Sequence, residues 1–169
     1  ILSGNLGDHH AAIMSKRMGI ENTIKSDCAP LITITRRLLE ENIKIHCMRD
    51  VTRGGLATVL NEVSSCSDCG VEIMEEELPV SHEVKGFCDI LGLDPLYMAN
   101  EGKMIAVIPE EEGEKALKLL QDTKYGKNAR IIGKITNKEG ATMITKLHGS
   151  RIIDTLYGEG LPPICSLKG

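Results

Sequence analysis

The stretch "RDVTRGGLATVLNE", Arg49 to Glu62, constrains this chain more than any other. Gly54 and Gly55 stand between the end of a strand and the start of a helix. Leu56, Val59, Leu60 and Val63 then recur at helical spacing, so the helix has one apolar face. The rest of the chain carries the same mixture. Asp8 is placed to cap a helix through Met18, which Gly19 ends. In "SDCAPLITITRRLLEEN", Ser26 or Asp27 caps a second helix with Pro30 in its first turn, and Leu31, Ile34, Leu38 and Leu39 share a face. Residues 44–48 and 70–74 read as short strands, and 81–92 as a helix stopped by Gly92. "KMIAVIP" (103–109) is a buried strand by its apolar run. "EEEGEKALKLLQD" follows as a helix with its acids in the first turn, where the dipole favours them. "ARIIGKI", "ATMITKL" and "SRIIDTL" read as three strands joined by turns, an antiparallel ending. The pattern predicts an α+β domain over residues 1–157, with helices packed on a mixed or largely antiparallel sheet. Residues 158–169 read as a flexible tail that carries Cys165.

Composition narrows the function classes. With one Phe, three Tyr and no Trp, the core must be aliphatic, and stacking platforms for single-stranded nucleic acid are missing. A net charge of −4 offers no basic footprint, so nucleic acid is not an expected partner. No apolar run is long enough to span a membrane. Six cysteines without a readable secretory signal are expected as reduced thiols in the cytoplasm. The opening Ile1-Leu2-Ser3 reads as the end of a strand, which implies a segment upstream.

Several stretches can carry chemistry. Backbone N–H groups at Gly54 and Gly55, at a helix start, can point at an anion. Thr52 adds a hydroxyl, and Arg53 a fork of donors suited to phosphate. Asp50 can hold Arg53 or assist a metal ion. A plain strand-to-helix turn explains the same residues, and on spacing alone it stands ahead, because this is not the Walker pattern. In "NEGK", Asn100, Glu101 and Lys103 precede the buried strand. A carboxylate there can act as a general base, although a polar turn has the same composition. His9 and His10 are adjacent on a helix and make a poor metal pair. Cys66 and Cys69 form a lone Cys-x-x-Cys with no second pair at finger spacing, so no metal site is assigned. Cys28, Cys47 and Cys88 read as small core fillers. Cys165 follows a Gly-x-Gly pivot and the stiff pair Pro162-Pro163, an arrangement that suits a thiol carried from place to place.

In order along the chain, "SGNLGDHH", "SDCAPL", "RDVTRGGLATVLNE", "LGLDPLYMANEGKMIAVIP" and "LPPIC" resemble the C-terminal domain of HypE, the carbamoyl dehydratase family of NiFe-hydrogenase maturation. "RDVTRGGLA" is similar to a signature of the wider PurM-like (AIR synthase-related) superfamily, whereas "LPPIC" is particular to HypE. The resemblance covers nearly all of residues 1–165. It implies a PurM C-terminal-domain-like fold and an absent N-terminal domain that carries most of the ATP and magnesium site. It also implies a homodimer in the full-length protein. Cys165 then receives a carbamoyl group from the carbamoyltransferase HypF. ATP-dependent dehydration turns that group into a thiocyanate, and the cyano group passes to the HypC–HypD complex. Asp50, Thr52, Arg53, Gly54 and Gly55 match the motif that faces the phosphates. Glu101 is the hypothesised base, with Asn100 as its orienting partner. This fragment alone is expected to be inactive. The family ends on its cysteine, whereas "SLKG" follows Cys165 here. Two alternatives remain: a partner-docking module without activity of its own, and another PurM-like ATP-dependent phosphotransfer enzyme, such as a relative of selenophosphate synthetase.

Overall fold

A computed structural model describes residues 1–155. Its elements are α1 (Asp8–Met18), α2 (Ile32–Glu40), β1 (Cys47–Asp50), α3 (Gly55–Ser67), β2 (Gly70–Met74), α4 (His82–Leu91), β3 (Met104–Val107), α5 (Glu110–Gln121), β4 (Gly133–Thr136), β5 (Gly140–Ile144) and β6 (Ser150–Ile152). Short 3-10 turns lie at Glu75–Glu77 and Pro95–Tyr97. The α+β architecture expected from the sequence is the one observed.

The strands form two sheets. β1 pairs antiparallel with β3, Cys47 opposite Val107 and Asp50 opposite Met104. The second sheet has the order β4-β2-β5-β6. β2 is antiparallel to β4 and parallel to β5, while β5 and β6 are antiparallel. The last three strands are therefore not one consecutive antiparallel run. β2 inserts between β4 and β5, and it supplies Val71 and Ile73 against Ala141 and Met143. Leu2 bridges Ile105 of β3 and Arg130, which lies three residues before β4.

β3 explains why "MIAV" carries no polar residue. Side chains alternate along a strand, and here both faces are covered. Ile105 points into a core with Leu56, Leu60 and Val63 of α3 and Val71 and Ile73 of β2. Met104 and Ala106 point the other way, toward Ile34 and Leu38 of α2 and Ala116, Leu119 and Leu120 of α5. A third cluster joins Ala11 of α1 to Val84, Phe87 and Cys88 of α4 and to Met98. Each fully buried leucine is worth roughly 1.5–3 kcal/mol against exposure.

Local expectations fail in four places. Asp8 lies inside the first turn of α1, and the cap position is Gly7 with φ 85°. A Cβ at Gly7 would stand 2.9 Å from Val84 Cγ1. α2 begins at Ile32 rather than near Ser26, and Leu39 lies outside the face buried by Ile34 and Leu38 and is 59% exposed. β1 starts at Cys47, three residues later than the apolar pattern suggests. Cys28 is exposed and Cys47 only half-buried, so of the three expected core cysteines Cys88 alone is buried.

Candidate functional site

β1 and β3 bring two of the predicted motifs to the same end of the small sheet. Asp50 closes β1 opposite Met104. One residue further, the Val51 N–H donates to the Lys103 carbonyl at 2.8 Å. The turn Asp50–Gly55 and the loop Asn100–Lys103 therefore adjoin through backbone.

The turn is built by close approach. Gly54 and Gly55 both have positive φ, 78° and 67°. A Cβ at Gly55 would meet the Leu96 carbonyl at 2.4 Å and the Met98 carbonyl at 2.8 Å. Glycine is thus required both by conformation and by the backbone packed on it. The Gly55 N–H donates to the Thr52 carbonyl at 3.1 Å, and Thr58 donates to the Gly54 carbonyl. Asp50 and Arg53 are exposed and Thr52 is half-buried. Among the described residues neither Asp50 nor Arg53 forms an ion pair; Arg49 pairs with Glu62 instead. The Asp50–Arg53 contact suggested by the sequence is not formed. Both side chains remain available to a ligand.

The loop is built differently. Asn100 is fully buried. Its Oδ1 accepts the Gly7 N–H at 2.9 Å, and its Nδ2 donates to the Met98 carbonyl at 3.0 Å. Asn100 thus holds the loop to the start of α1, and its amide is spent on backbone groups rather than on Glu101. Glu101 is exposed at the tip. Its N–H donates to Asp27 Oδ1 at 3.0 Å. Gly102 lies against the next strip of chain, where a Cβ would stand 2.0 Å from the Asp27 carbonyl. Lys103 Nζ lies 3.3 Å from Asp27 Oδ2, with both side chains buried.

His10 and Asp8 complete the surroundings. His10 Nδ1 accepts the Ala99 N–H at 3.3 Å, while the His10 N–H donates to the Ala99 carbonyl at 3.2 Å. With Nδ1 an acceptor, the ring proton sits on Nε2, beside Met14 Sδ. Burial lowers the His10 pKa, which keeps the ring neutral. Asp8 accepts from Ser81 Oγ at 3.4 Å. Burial raises its pKa, and the attraction of Lys103 only partly offsets this.

Sequence reading missed the Asp27–Lys103 pair and the contacts of His10. "SDCAPL" reads as a helix start and as a family motif, with no side-chain role for Asp27 beyond a cap, because a short acid before a helix usually caps it. Cys165 lies outside the described residues. Cys66 is exposed and Cys69 half-buried, and among the described residues no group of three His, Cys, Asp or Glu side chains could hold a metal ion. A cleft of about 870 Å³, lined by Leu60, Val63, Ile73, Ile105 and Ile135 among others, contains none of the candidate site residues.

Comparison with known proteins decides the family. Residues 1–146 match the model of the AIR synthase related protein, C-terminal domain. This chain belongs to that family. It is 43% identical over 169 residues to the carbamoyl dehydratase HypE of Azotobacter vinelandii, covering 98% of this chain and 50% of the relative. Its structure superposes on a HypE crystallised in complex with ATP with a TM-score of 0.89 at 38% identity, covering 94% of this chain and 50% of that one. The HypE–HypF complex gives a TM-score of 0.86 at 42% identity, covering 92% and 52%. The AIR synthase-related fold expected from the sequence is thereby established. The chain spans about half the length of the curated relatives it matches. No helix among the described residues is long and apolar enough to cross a membrane.

Proposed function

We propose that this chain is the C-terminal half of a HypE-type carbamoyl dehydratase acting in hydrogenase maturation. In the whole protein, Cys165 holds a carbamoyl group as a thiocarbamate and ATP drives its dehydration to a thiocyanate. The observation that carries this reading is the junction at the end of the small sheet. There the Val51–Lys103 backbone bond sets a turn with free anion-binding groups beside a loop with an exposed carboxylate. The similarity to HypE crystallised with ATP and with HypF supports it.

Each residue then has a task. ATP, when bound, supplies the phosphoryl group that makes the amide oxygen a leaving group. Arg53 and the Gly54 N–H bind phosphate oxygens, with Thr52 and Asp50 at the rim, while Gly55, whose N–H is held by the Thr52 carbonyl, shapes the turn that presents them. One N–H proton leaves to solvent as the amide oxygen is phosphorylated and the carbon–nitrogen bond becomes C=NH; Glu101 takes the remaining proton from nitrogen as phosphate departs and the C≡N bond forms. Cys165 keeps the reacting carbon tethered, which replaces a separate binding step with proximity. Asn100 positions the loop from behind. Magnesium, when bound with ATP, would be held mostly by the half of the protein beyond this chain. That half also supplies the homodimer contacts and most of the ATP site. HypF is the carbamoyl donor, the HypC–HypD complex accepts the cyano group, and the protein works in the cytoplasm.

The test is a mass measurement on the full-length protein. With HypF, carbamoyl phosphate and ATP, Cys165 should carry first a carbamoyl and then a cyano mass, and C165A should carry neither. Modification on another cysteine, or none, contradicts the assignment.

A further inference from the structure

Asp27 has a use that capping does not explain. It lies in the irregular stretch between α1 and α2, eleven residues with no regular structure, 20–30. Its side chain is only 2% exposed. One oxygen accepts the Glu101 N–H at 3.0 Å. The other faces Lys103 Nζ at 3.3 Å but accepts no hydrogen bond. Lys103 in turn donates to the Gly102 carbonyl at 3.3 Å. The groups facing this pair are Asp8, itself near Ser81 and Glu83, and the backbone of Gly4. Asp27 is the one carboxylate paired with this ammonium among the described residues, and Asp8 attracts the ammonium from beyond ion-pair distance.

A buried ion pair is a weak device for stability, because desolvation offsets most of its attraction. A half-satisfied carboxylate is weaker still. The pair does achieve a geometric result. Residues 101, 102 and 103 are each fixed to the same short segment: Glu101 by its N–H, Gly102 by backbone contact, Lys103 by its ammonium. Glu101 alone projects its side chain outward.

We propose that Asp27, paired with Lys103, is a positioning residue for Glu101. It locks the loop backbone from below so that the exposed carboxylate meets the reacting nitrogen at one fixed place. This inference rests on Glu101 being the base.

The experiment is a double-mutant cycle in the full-length protein, with D27N, E101Q and the double variant. Two rates are read on Cys165 by mass spectrometry: loading with carbamoyl by HypF, and dehydration with ATP. D27N should slow dehydration about 10- to 100-fold through misplacement of the base. Loading and the KM for ATP should stay within about twofold, as expected when only a transition-state interaction is lost. The double variant should be no slower than E101Q, because Asp27 acts through Glu101. A D27N protein that dehydrates at the normal rate overturns the proposal. So does an equal further loss in the E101Q background, or an equal loss of loading and dehydration. A normal rate in E101Q sinks the base assignment itself, whatever D27N does. If D27N fails to fold, K103M and G102A break the same clamp from its other side. If all three fail, the pair is a folding element and the positioning role is wrong.

Discussion

The turn Asp50–Gly55 and the loop Asn100–Lys103 meet through one backbone hydrogen bond, yet they are made in opposite ways. In the turn, backbone is fixed and side chains are free. Gly55 is pinned under the carbonyls of Leu96 and Met98, while Asp50 and Arg53 stay exposed. In the loop, most side chains are committed. Asn100 is buried on Gly7 and Met98, Lys103 is buried on Asp27, and only Glu101 reaches solvent. A surface that grips a charged ligand can use mobile donors, since phosphate oxygens are accessible from many directions. A base, the role proposed for Glu101, must reach one proton, and a rigidly supported loop suits that task.

That contrast can be broken by mutation. The largest effect on stability should come from N100A, which leaves the Gly7 N–H and the Met98 carbonyl without their buried partner. A loss of about 3 kcal/mol in denaturant unfolding is expected. A neutral N100A would mean that the loop is not held from behind. A smaller effect, opposite in sign, is expected from D8N. Burial raises the pKa of Asp8, so the folded state holds its proton more readily than the unfolded one. Stability from this group is present at low pH and is lost as pH rises through the raised value. At neutral pH, D8N removes a buried charge and should stabilise. The gain should vanish below about pH 4, where the unfolded carboxyl is also protonated. Unfolding curves across that range check the sign, and a gain that grows in acid would refute it. The smallest effect on stability belongs to R53A, within about 0.5 kcal/mol because the side chain is exposed and unpaired. Its ATP affinity, measured by calorimetry on the full-length protein, should fall. Unchanged affinity would remove Arg53 from the phosphate site.

Much of the fold was legible because the apolar pattern reports burial directly. "MIAV" announces a strand covered on both faces, and α3 shows its buried stripe in Leu56, Val59, Leu60 and Val63. Strand order was not legible. Nothing local to residues 133–152 says that β2, some sixty residues earlier, slips between β4 and β5. That arrangement follows from which apolar faces close over α3. Leu39 misled because the pattern extends past the face that α5 covers. In the proposed site, the "NEGK" loop and the glycine turn were visible as motifs, and the fold shows that they adjoin. Asp27 could not be read this way, since an aspartate before a helix has a simpler use, and only the fold shows that its carboxylate turns inward to Lys103 and the Glu101 N–H.

The central claim is that Glu101 removes the proton that lets phosphate leave. The most direct test is the mass on Cys165 in full-length E101Q, loaded by HypF and then given ATP. The account predicts that the carbamoyl form accumulates, with dehydration slowed about 10²- to 10⁴-fold as for loss of a general base. Conversion of Cys165 to the cyano form at the unmodified protein's rate would contradict it.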